Sequence, residues 1–367
     1  FSMSKAAELA ALIANVNKGS SLGSKNLIIN GAMNVSQRGT SSTGITASGY
    51  RLAPDRFRPS IGTAGTWTIS QSTDVPTGYG FSNSYKFDCT TADASLAVGD
   101  DMALQYRFEG QDVQTLRKGT SSAVPVTVSF WVKSTKTGTF ILELMDNDNA
   151  REISKSYTVS SSNTWEYKTV TFEGDTTGSL DNDNARSLTL QWWLAAGTNW
   201  TSGTLNTSWA DPAQANRVVG QVNIADSTSN DWFITGAQME IGEKATEFEH
   251  EPYERTLAKC QRYYTKWLAN TAYDGFASGH FHAADQFYSY YSFPVQMRQE
   301  PTMGTGGSFN IMSGSDIACG SFILNRATAS NIQTYSDQSG ANGTALAGGG
   351  IRTNNDNDAY VEFKAEL

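Results

Sequence analysis

The sequence predicts an all-β chain: an antiparallel β-sandwich, a second smaller C-terminal β-domain, and two short helices. Three observations carry this. Between Leu27 and Glu240 the apolar period is two, with turns rich in Gly, Ser, Thr, Asn and Asp. Only 17% of the residues are charged, against the usual ~25%. More than a quarter are Ser, Thr or Asn, so neutral polar groups cover the surface, which suits short strands and loops.

Taken in order, residues 1–24 hold the one strongly helical stretch of the first half, Ser4 to Val16. Ala6, Ala7, Ala10, Ala11 and Ala14 favour helix, Ser4 caps it, and Leu9, Leu12, Ile13 and Val16 form one apolar stripe. So short a helix cannot bury that stripe alone and needs its own domain, sister chains or a docking partner. Residues 25–251 form the sandwich. Val126, Val128, Phe130 and Val132 share one face, with Thr127, Ser129 and Trp131 on the other. Met102, Leu104, Tyr106 and Phe108 alternate likewise, as do Tyr85, Phe87 and Cys89, and Leu188, Leu190 and Trp192. Trp165, Tyr167, Thr169 and Thr171 alternate with Glu166 and Lys168. About nine or ten strands result, each sheet with one wet face. Residues 252–271 read as a linking helix: Pro252 suits a first helical position, and Leu257, Cys260, Tyr264 and Leu268 recur at helical spacing. Residues 272–367 form the second β-unit, with strands in Phe276–Phe293, Gly307–Ile311, Ile317–Asn325 and Ala359–Lys364 and a long loop at Gly340–Gly350.

Composition excludes several classes. Lys and Arg number 27 against 36 Asp and Glu, a net charge of −9, so no nucleic-acid partner is expected. Cys89, Cys260 and Cys319 are too scattered for a disulfide framework or a zinc cluster and read as reduced, consistent with synthesis in a cytoplasm. No apolar run nears ~18 residues, and no membrane insertion or signal peptide is expected. Met3 followed by Ser4 and Lys5 reads as a natural start.

Six strings, in order, carry a resemblance: NLIINGAMNVSQRG (Asn26 to Gly39), YRFEGQDVQTLRKGT (Tyr106 to Thr120), VTVSFWVKST (Val126 to Thr135), NTWEYKTVTFEGDTTG (Asn163 to Gly178), FITGAQMEIGEKATEFE (Phe233 to Glu249) and PYERTLAKCQRYY (Pro252 to Tyr264). They resemble the carbohydrate-binding-module-like jelly roll of bacteriophage tail fibre and receptor-binding proteins, over about residues 26–265. The opening MSKAAELAAL is similar to marine phage chains, and the close, FPVQMRQEPTM and AYVEFKAEL, matches the tail pattern more loosely. The resemblance implies a virion protein of the phage tail, a homotrimer that adheres to host surface polysaccharide without cleaving it. On this reading the N-terminal helix either docks to the tail or an upstream fibre protein or starts a three-chain bundle, and the C-terminal unit is distal. Related modules open with Asn-Gly-x-Phe-Glu, whose Glu helps hold calcium. Here Asn30, Gly31, Ala32, Met33 and Asn34 stand there, so an amide replaces that carboxylate.

Sugar recognition needs flat aromatic faces beside amides and carboxylates. Trp200 and Trp209 lie in the polar loop Gly197–Asn216, and either stack on glycan or pack onto the fold or a sister chain. Trp192 and Trp193 point to opposite sheet faces, and the outer one is a candidate for an intersubunit contact or a ligand. In the C-terminal unit Phe287, Ser289, Tyr291 and Phe293 share one face, while Tyr288 and Tyr290 lie on the other, facing a sister chain or a receptor. His280 and His282 project together, which in a trimer would place six imidazoles about the axis for a metal ion; solvent-facing or stacked histidines are the alternative. No cofactor beyond such a structural ion is expected. DNDNAR occurs at Asp146–Arg151 and Asp181–Arg186; either these runs bind calcium or they are Asx turns. Glu143, Asp146, Glu166, Glu173 and Asp231 are the carboxylates available to a glycosidase, which needs two about 5–9.5 Å apart. No nucleophile elbow, P-loop, zinc-protease motif or solenoid repeat occurs, so a depolymerase is the lesser reading and a non-enzymatic adhesin the main one. A structural virion protein such as a head fibre or decoration is the other alternative.

Overall fold

The computed structural model describes residues 25–337 and 343–367. The expected N-terminal helix lies outside these. Two compact units are present, dividing after Pro252.

The first unit is a sandwich of ten strands: β1 (Ser41–Ala47), β2 (Phe57–Ser72), β3 (Ser84–Thr91), β4 (Asp101–Glu109), β5 (Val126–Ser134), β6 (Gly138–Asp146), β7 (Arg151–Val159), β8 (Glu166–Phe172), β9 (Arg186–Ala196) and β10 (Asp231–Ile241). All pairings are antiparallel, in the order β7-β6-β9-β4-β2-β3-β10-β5-β8, with β1 added on β2. The long strand β2 serves both layers. Its first half pairs with β4 from Phe57 to Thr63, and its second half pairs with β3 from Thr66 to Ser72. Between them Thr63 and Gly65 take positive φ, where the chain turns from one layer to the other. At Gly65 a Cβ would stand 2.7 Å from the Thr91 carbonyl, so glycine is required there.

The inward sets of β3, β4, β5 and β9 are those of the alternating pattern; in β8 the pattern is reversed, with Val170 and Phe172 inward and Tyr167, Thr169 and Thr171 outward. Phe130 of β5 meets Trp192 of β9 and Tyr157 of β7 edge-to-face across the layers, at 5.8 and 5.1 Å. Phe57, Tyr85, Phe87, Tyr106 and Trp232 complete a buried aromatic seam. Each buries on the order of 150–250 Å², and this apolar area is the main force holding the layers together.

The second unit begins with a helix, α2 (Tyr253–Gln261), numbered after the single-turn α1 (Thr198–Thr201) of the first unit. Its ten strands are β11 (Tyr264–Leu268), β12 (Gly275–Ala283), β13 (Gln286–Ser292), β14 (Thr302–Gly306), β15 (Phe309–Ser313), β16 (Ser315–Ala318), β17 (Phe322–Ala327), β18 (Asn331–Asp337), β19 (Gly348–Thr353) and β20 (Tyr360–Lys364). They make a three-stranded sheet, β11-β20-β14, and a seven-stranded sheet, β16-β15-β19-β12-β13-β18-β17. Phe363 of the small sheet packs on Phe276 and Tyr291 of the large one. Two expectations are corrected here. The helix stops at Gln261, and Tyr264 to Leu268 is a strand paired with β20, because Tyr, Thr and Trp in alternation fit a pleated surface. The glycines from 348 to 350, read as loop, lie in β19; Gly349 is needed there, since a Cβ would meet the Met312 carbonyl at 2.5 Å.

The three cysteines are free, and burial pushes the Cys89 and Cys319 thiols up to about 11. Among the described residues no helix is long and apolar enough to cross a membrane.

Candidate functional site

The outer face of the β6-β7-β9 layer is covered. Trp193 points outward as its register demands, yet it is buried, because the segment following β9 folds back over it. Trp200 packs on Trp193 at 5.3 Å, and Arg217 lies beneath both indoles at 5.4 and 5.0 Å. Trp193 is therefore closed to a ligand, a correction to its candidacy: the sequence shows which way it points but not what lies over it. Beneath this cover Arg217 donates Nε and Nη2 to Glu143, at 2.6 and 2.8 Å. Gln191 and Trp193 donate to the same carboxylate at 2.7 and 2.8 Å. Glu152 is buried alongside; its Oε1 accepts from Asn206 at 2.8 Å, while its Oε2 accepts nothing. Burial and the neighbouring Glu143 push the Glu152 carboxyl up to about 7.

Trp209 is also turned onto the fold. Its Nε1 donates to the Glu173 carbonyl at 2.7 Å, and its ring caps the Lys118 ammonium at 5.0 Å. Lys118 in turn pairs with buried Asp146 and Asp175 at 2.5 and 3.0 Å. The first DNDNAR run is a hairpin turn: Asp146 Oδ1 accepts from the Asp148 and Asn149 amides, and its Oδ2 is taken by Lys118 and Asn149. In the second run Asp183 accepts from the Ala185 amide. Asn34 lies next to a buried turn in which Asn30 bridges Val35 and Asp55. Among the described residues no group of three His, Cys, Asp or Glu side chains converges as a metal site.

The open aromatic surface of the first unit lies elsewhere, on the outer face of the β3-β10-β5-β8 layer. Trp131 of β5 stands directly opposite Tyr167 of β8 and Thr235 of β10. The Trp131 and Tyr167 rings are 5.4 Å apart, and Tyr79 leans on Trp131 at 4.3 Å. Tyr79 is 54% exposed and Tyr167 43%. The loop carrying Tyr79 is fastened at three points. Thr235 donates to the Asn83 carbonyl, His250 Nε2 bonds the Tyr79 carbonyl at 3.0 Å, and Phe81 packs on Phe248. Phe81 also lies over Gly236, whose φ of 63° makes the bulge in β10 and whose missing side chain leaves room for the ring. Beside the row, Trp165 donates Nε1 to Asp74 at 2.9 Å, and Lys133 bonds Asp74 while lying over the Phe233 ring at 4.4 Å. Burial works upward on Asp74, but the bonds from Lys133 and Trp165 outweigh it and hold its carboxyl below the ordinary range. Chemically this is a row of three aromatic rings, tilted by 46° and 49° to their neighbours and edged by an ion pair, which offers ring faces to the apolar side of a pyranose and charged groups to its hydroxyls. Alternation puts Trp131 on the outward side of β5 but groups Tyr167 with Trp165, Thr169 and Thr171 against the charged Glu166 and Lys168. The structure turns that set outward because Val170 and Phe172 fill the core, and only the strand register sets Trp131 and Tyr167 side by side.

In the second unit, His280, His282, Tyr288 and Tyr290 do share the outer face of the seven-stranded sheet. His282 stacks on Tyr288 at 5.1 Å and His280 on Tyr290 at 6.0 Å, while Tyr335 extends the row. Tyr290 is 48% exposed. Phe287, Ser289 and Tyr291 face the opposite way, into the core. Of the carboxylates considered for hydrolysis, Glu143 and Asp146 are buried in the networks above, Glu166 bonds Lys168, Glu173 pairs with Lys155, and Asp231 pairs with Lys86.

No protein-family model matches the chain, and no curated protein matches it. Among solved structures, the enzymatically active domain of bacteriophage CBA120 tailspike protein 4 is similar at 12% identity and a TM-score of 0.31, over 59% of this chain and 21% of that one. TmCBM61 in complex with β-1,4-galactotriose is similar at 11% identity and a TM-score of 0.31, over 59% and 99%. The C-terminal family 22 carbohydrate binding module of Clostridium thermocellum Xyn10B is similar at 12% identity and a TM-score of 0.29, over 57% and 98%. The chain thus spans about a fifth of the tailspike structure it matches.

Proposed function

We propose that this chain is a virion adhesion protein of the phage tail fibre or receptor-binding type, which holds a host-surface glycan without cleaving it. The observation that carries the reading is the row of exposed Tyr79 and Tyr167 about the half-buried Trp131, held by the sheet and by the fastened loop of Tyr79 and edged by Asp74 and Lys133. Aromatic faces ordered before the ligand arrives cost little conformational freedom on binding. The sequence strings shared with tail fibre modules supply the virion context. Trp131→Ala is expected to weaken adhesion to host cells at least ~10-fold while leaving the melting temperature near that of the parent. Binding competed by host polysaccharide, and lost in the variant, supports the reading. Adhesion unchanged by the variant and by added sugar would sink it and leave a structural virion role. Release of new reducing ends or unsaturated products would instead assign a depolymerase.

A homotrimer is part of the proposal, since three weak sites on one body give tight attachment by avidity. Light scattering is expected to return three times 39.7 kDa for the full chain. A monomer mass would remove the trimer.

A further inference from the structure

The outer face of the seven-stranded sheet carries a cation with no counterion among the described residues. Arg326 of β17 stands opposite Gln333 of β18, Gln333 opposite Tyr290 of β13, and Tyr290 opposite Ser278 of β12. At a strand spacing of about 4.8 Å, the Arg326 and Tyr290 backbones lie roughly 10 Å apart, the width of one sugar ring with a substituent. Arg326, Gln333, Tyr290, Ser292, Thr328 and Asn331 line one groove of about 460 Å³. No carboxylate lines it, and Arg326 is its one charged residue. The unit's other four guanidiniums are engaged: Arg352 bonds Asp316 and lies over Tyr273, Arg298 donates to the Ala365 and Glu366 carbonyls, and Arg255 and Arg262 have partners of their own. For the Arg326 side chain no ion pair or hydrogen bond exists among the described residues.

The rest of the groove is held in place. Gln333 Nε2 donates to the Tyr290 hydroxyl at 2.8 Å, and Gln333 Oε1 accepts from Asn325 at 2.8 Å. His280 backs the Tyr290 ring with an interplanar angle of 17°. In a chain of net charge −9 an arginine eases the overall repulsion wherever it stands, so its charge alone does not explain this place in a groove; the overall field repels polyanions. That field is screened within about 8 Å at physiological salt, so recognition of an anion here falls to the short-range fork of the guanidinium.

We infer that this groove is a binding site for an acidic sugar unit, separate from the Trp131 row. The pyranose lies on Tyr290, its carboxylate or sulfate is forked by Arg326, and Gln333, Asn331 and Ser292 take hydroxyls. The inference shares with the adhesion reading only the ligand class and stands on a different unit. It is tested by calorimetric titration of the full chain with tetragalacturonate, with its methyl ester, and with a carrageenan tetrasaccharide. One of the acidic oligomers is expected to bind at least ~10-fold more tightly than the neutral ester, a preference that falls as salt rises. Arg326→Ala should abolish the preference, Arg326→Lys should keep part of it, and Trp131→Ala should leave it intact. Galacturonate alone being preferred names a carboxylate, and carrageenan alone a sulfate. Equal binding of acid and ester, binding of neither acid, or a preference that survives Arg326→Ala overturns the site. None of those results touches the adhesion reading, which fails only if Trp131→Ala leaves host binding unchanged.

Discussion

Arg217→Met is expected to destabilise the first unit by about 3–5 kcal/mol at pH 8, seen as a fall of roughly 10 °C in its melting temperature. The reason is the company Arg217 keeps. Glu143 and Glu152 are both buried, Arg217 is 3.0 Å from Glu152 Oε2 as well as bonded to Glu143, and Asp101 faces the same guanidinium from β4. Removing the cation leaves carboxylates packed together without water. It also removes the group on which the covering segment rests, since Trp193 and Trp200 lie on the Arg217 plane. At pH 5, where Glu152 holds its proton, the loss should be smaller. A melting temperature unchanged at pH 8 would contradict the account.

The same cluster makes the parent protein pH-sensitive with a definite sign. Glu152 rises from 4.5 unfolded to about 7 folded, so between these values the folded state holds the extra proton. Stability is then fully present below pH 4.5 and lost as pH rises through 7, on the order of 2 kcal/mol. Glu152 Oε2 lies 3.0 Å from Arg217 Nε yet accepts no hydrogen bond, which fits a protonated acid whose hydroxyl would donate to Glu143. Glu152→Gln supplies such a donor at every pH and keeps an acceptor for Asn206. It should match the parent at pH 5 and exceed it at pH 8.

How far the molecule was legible depends on what period and spacing carry. Val126 to Val132, Met102 to Phe108 and Leu188 to Trp192 alternate in polarity because one side of each strand faces the apolar core between the layers, so the strands and the inward residues follow directly, although in β9 the polar side is buried as well. The same rule puts Tyr288, Tyr290, His280 and His282 on one outer face. Alternation says nothing of what covers an outer face. Trp193 reads like Trp131, yet the first is fully roofed by the segment after β9 and the second stays partly exposed between Tyr79 and Tyr167. The Trp131 row and the Arg326 row both need cross-strand register, which pairs residues 36 and 43 positions apart and leaves no local mark. At Tyr264 to Leu268 helical and alternating readings overlap, and pairing with β20 decides. Glycines 348 to 350 read as loop because their value is close approach, visible only beside Met312.

Lys118→Met should cost about 3–5 kcal/mol for a related reason, and its effect should appear first in the fluorescence of Trp209. Lys118 closes a buried charge set: its ammonium bonds Asp146, pairs with Asp175, and donates to the Thr177 and Gly178 carbonyls at 2.8 and 3.0 Å. Methionine fills the volume but strands both carboxylates and two carbonyls. Asp175 keeps Arg151, whose Nε lies at 2.7 Å, whereas Asp146 keeps only neutral donors, so the β6–β7 turn bears most of the loss. Burial works upward on Asp175, but bonds from Arg151 and Lys118 outweigh it and depress its carboxyl. That contribution is present above the ordinary carboxylate range and disappears as pH falls through the folded value. The parent should therefore lose stability in acid and the variant lose less, so their melting curves converge towards low pH. Arg217→Met also converges on its parent in acid, so its pH dependence alone does not separate the two clusters. The double variant does: on opposite sides of β6 the costs should add to within about 0.5 kcal/mol, whereas one shared network would make the second substitution much cheaper than the first.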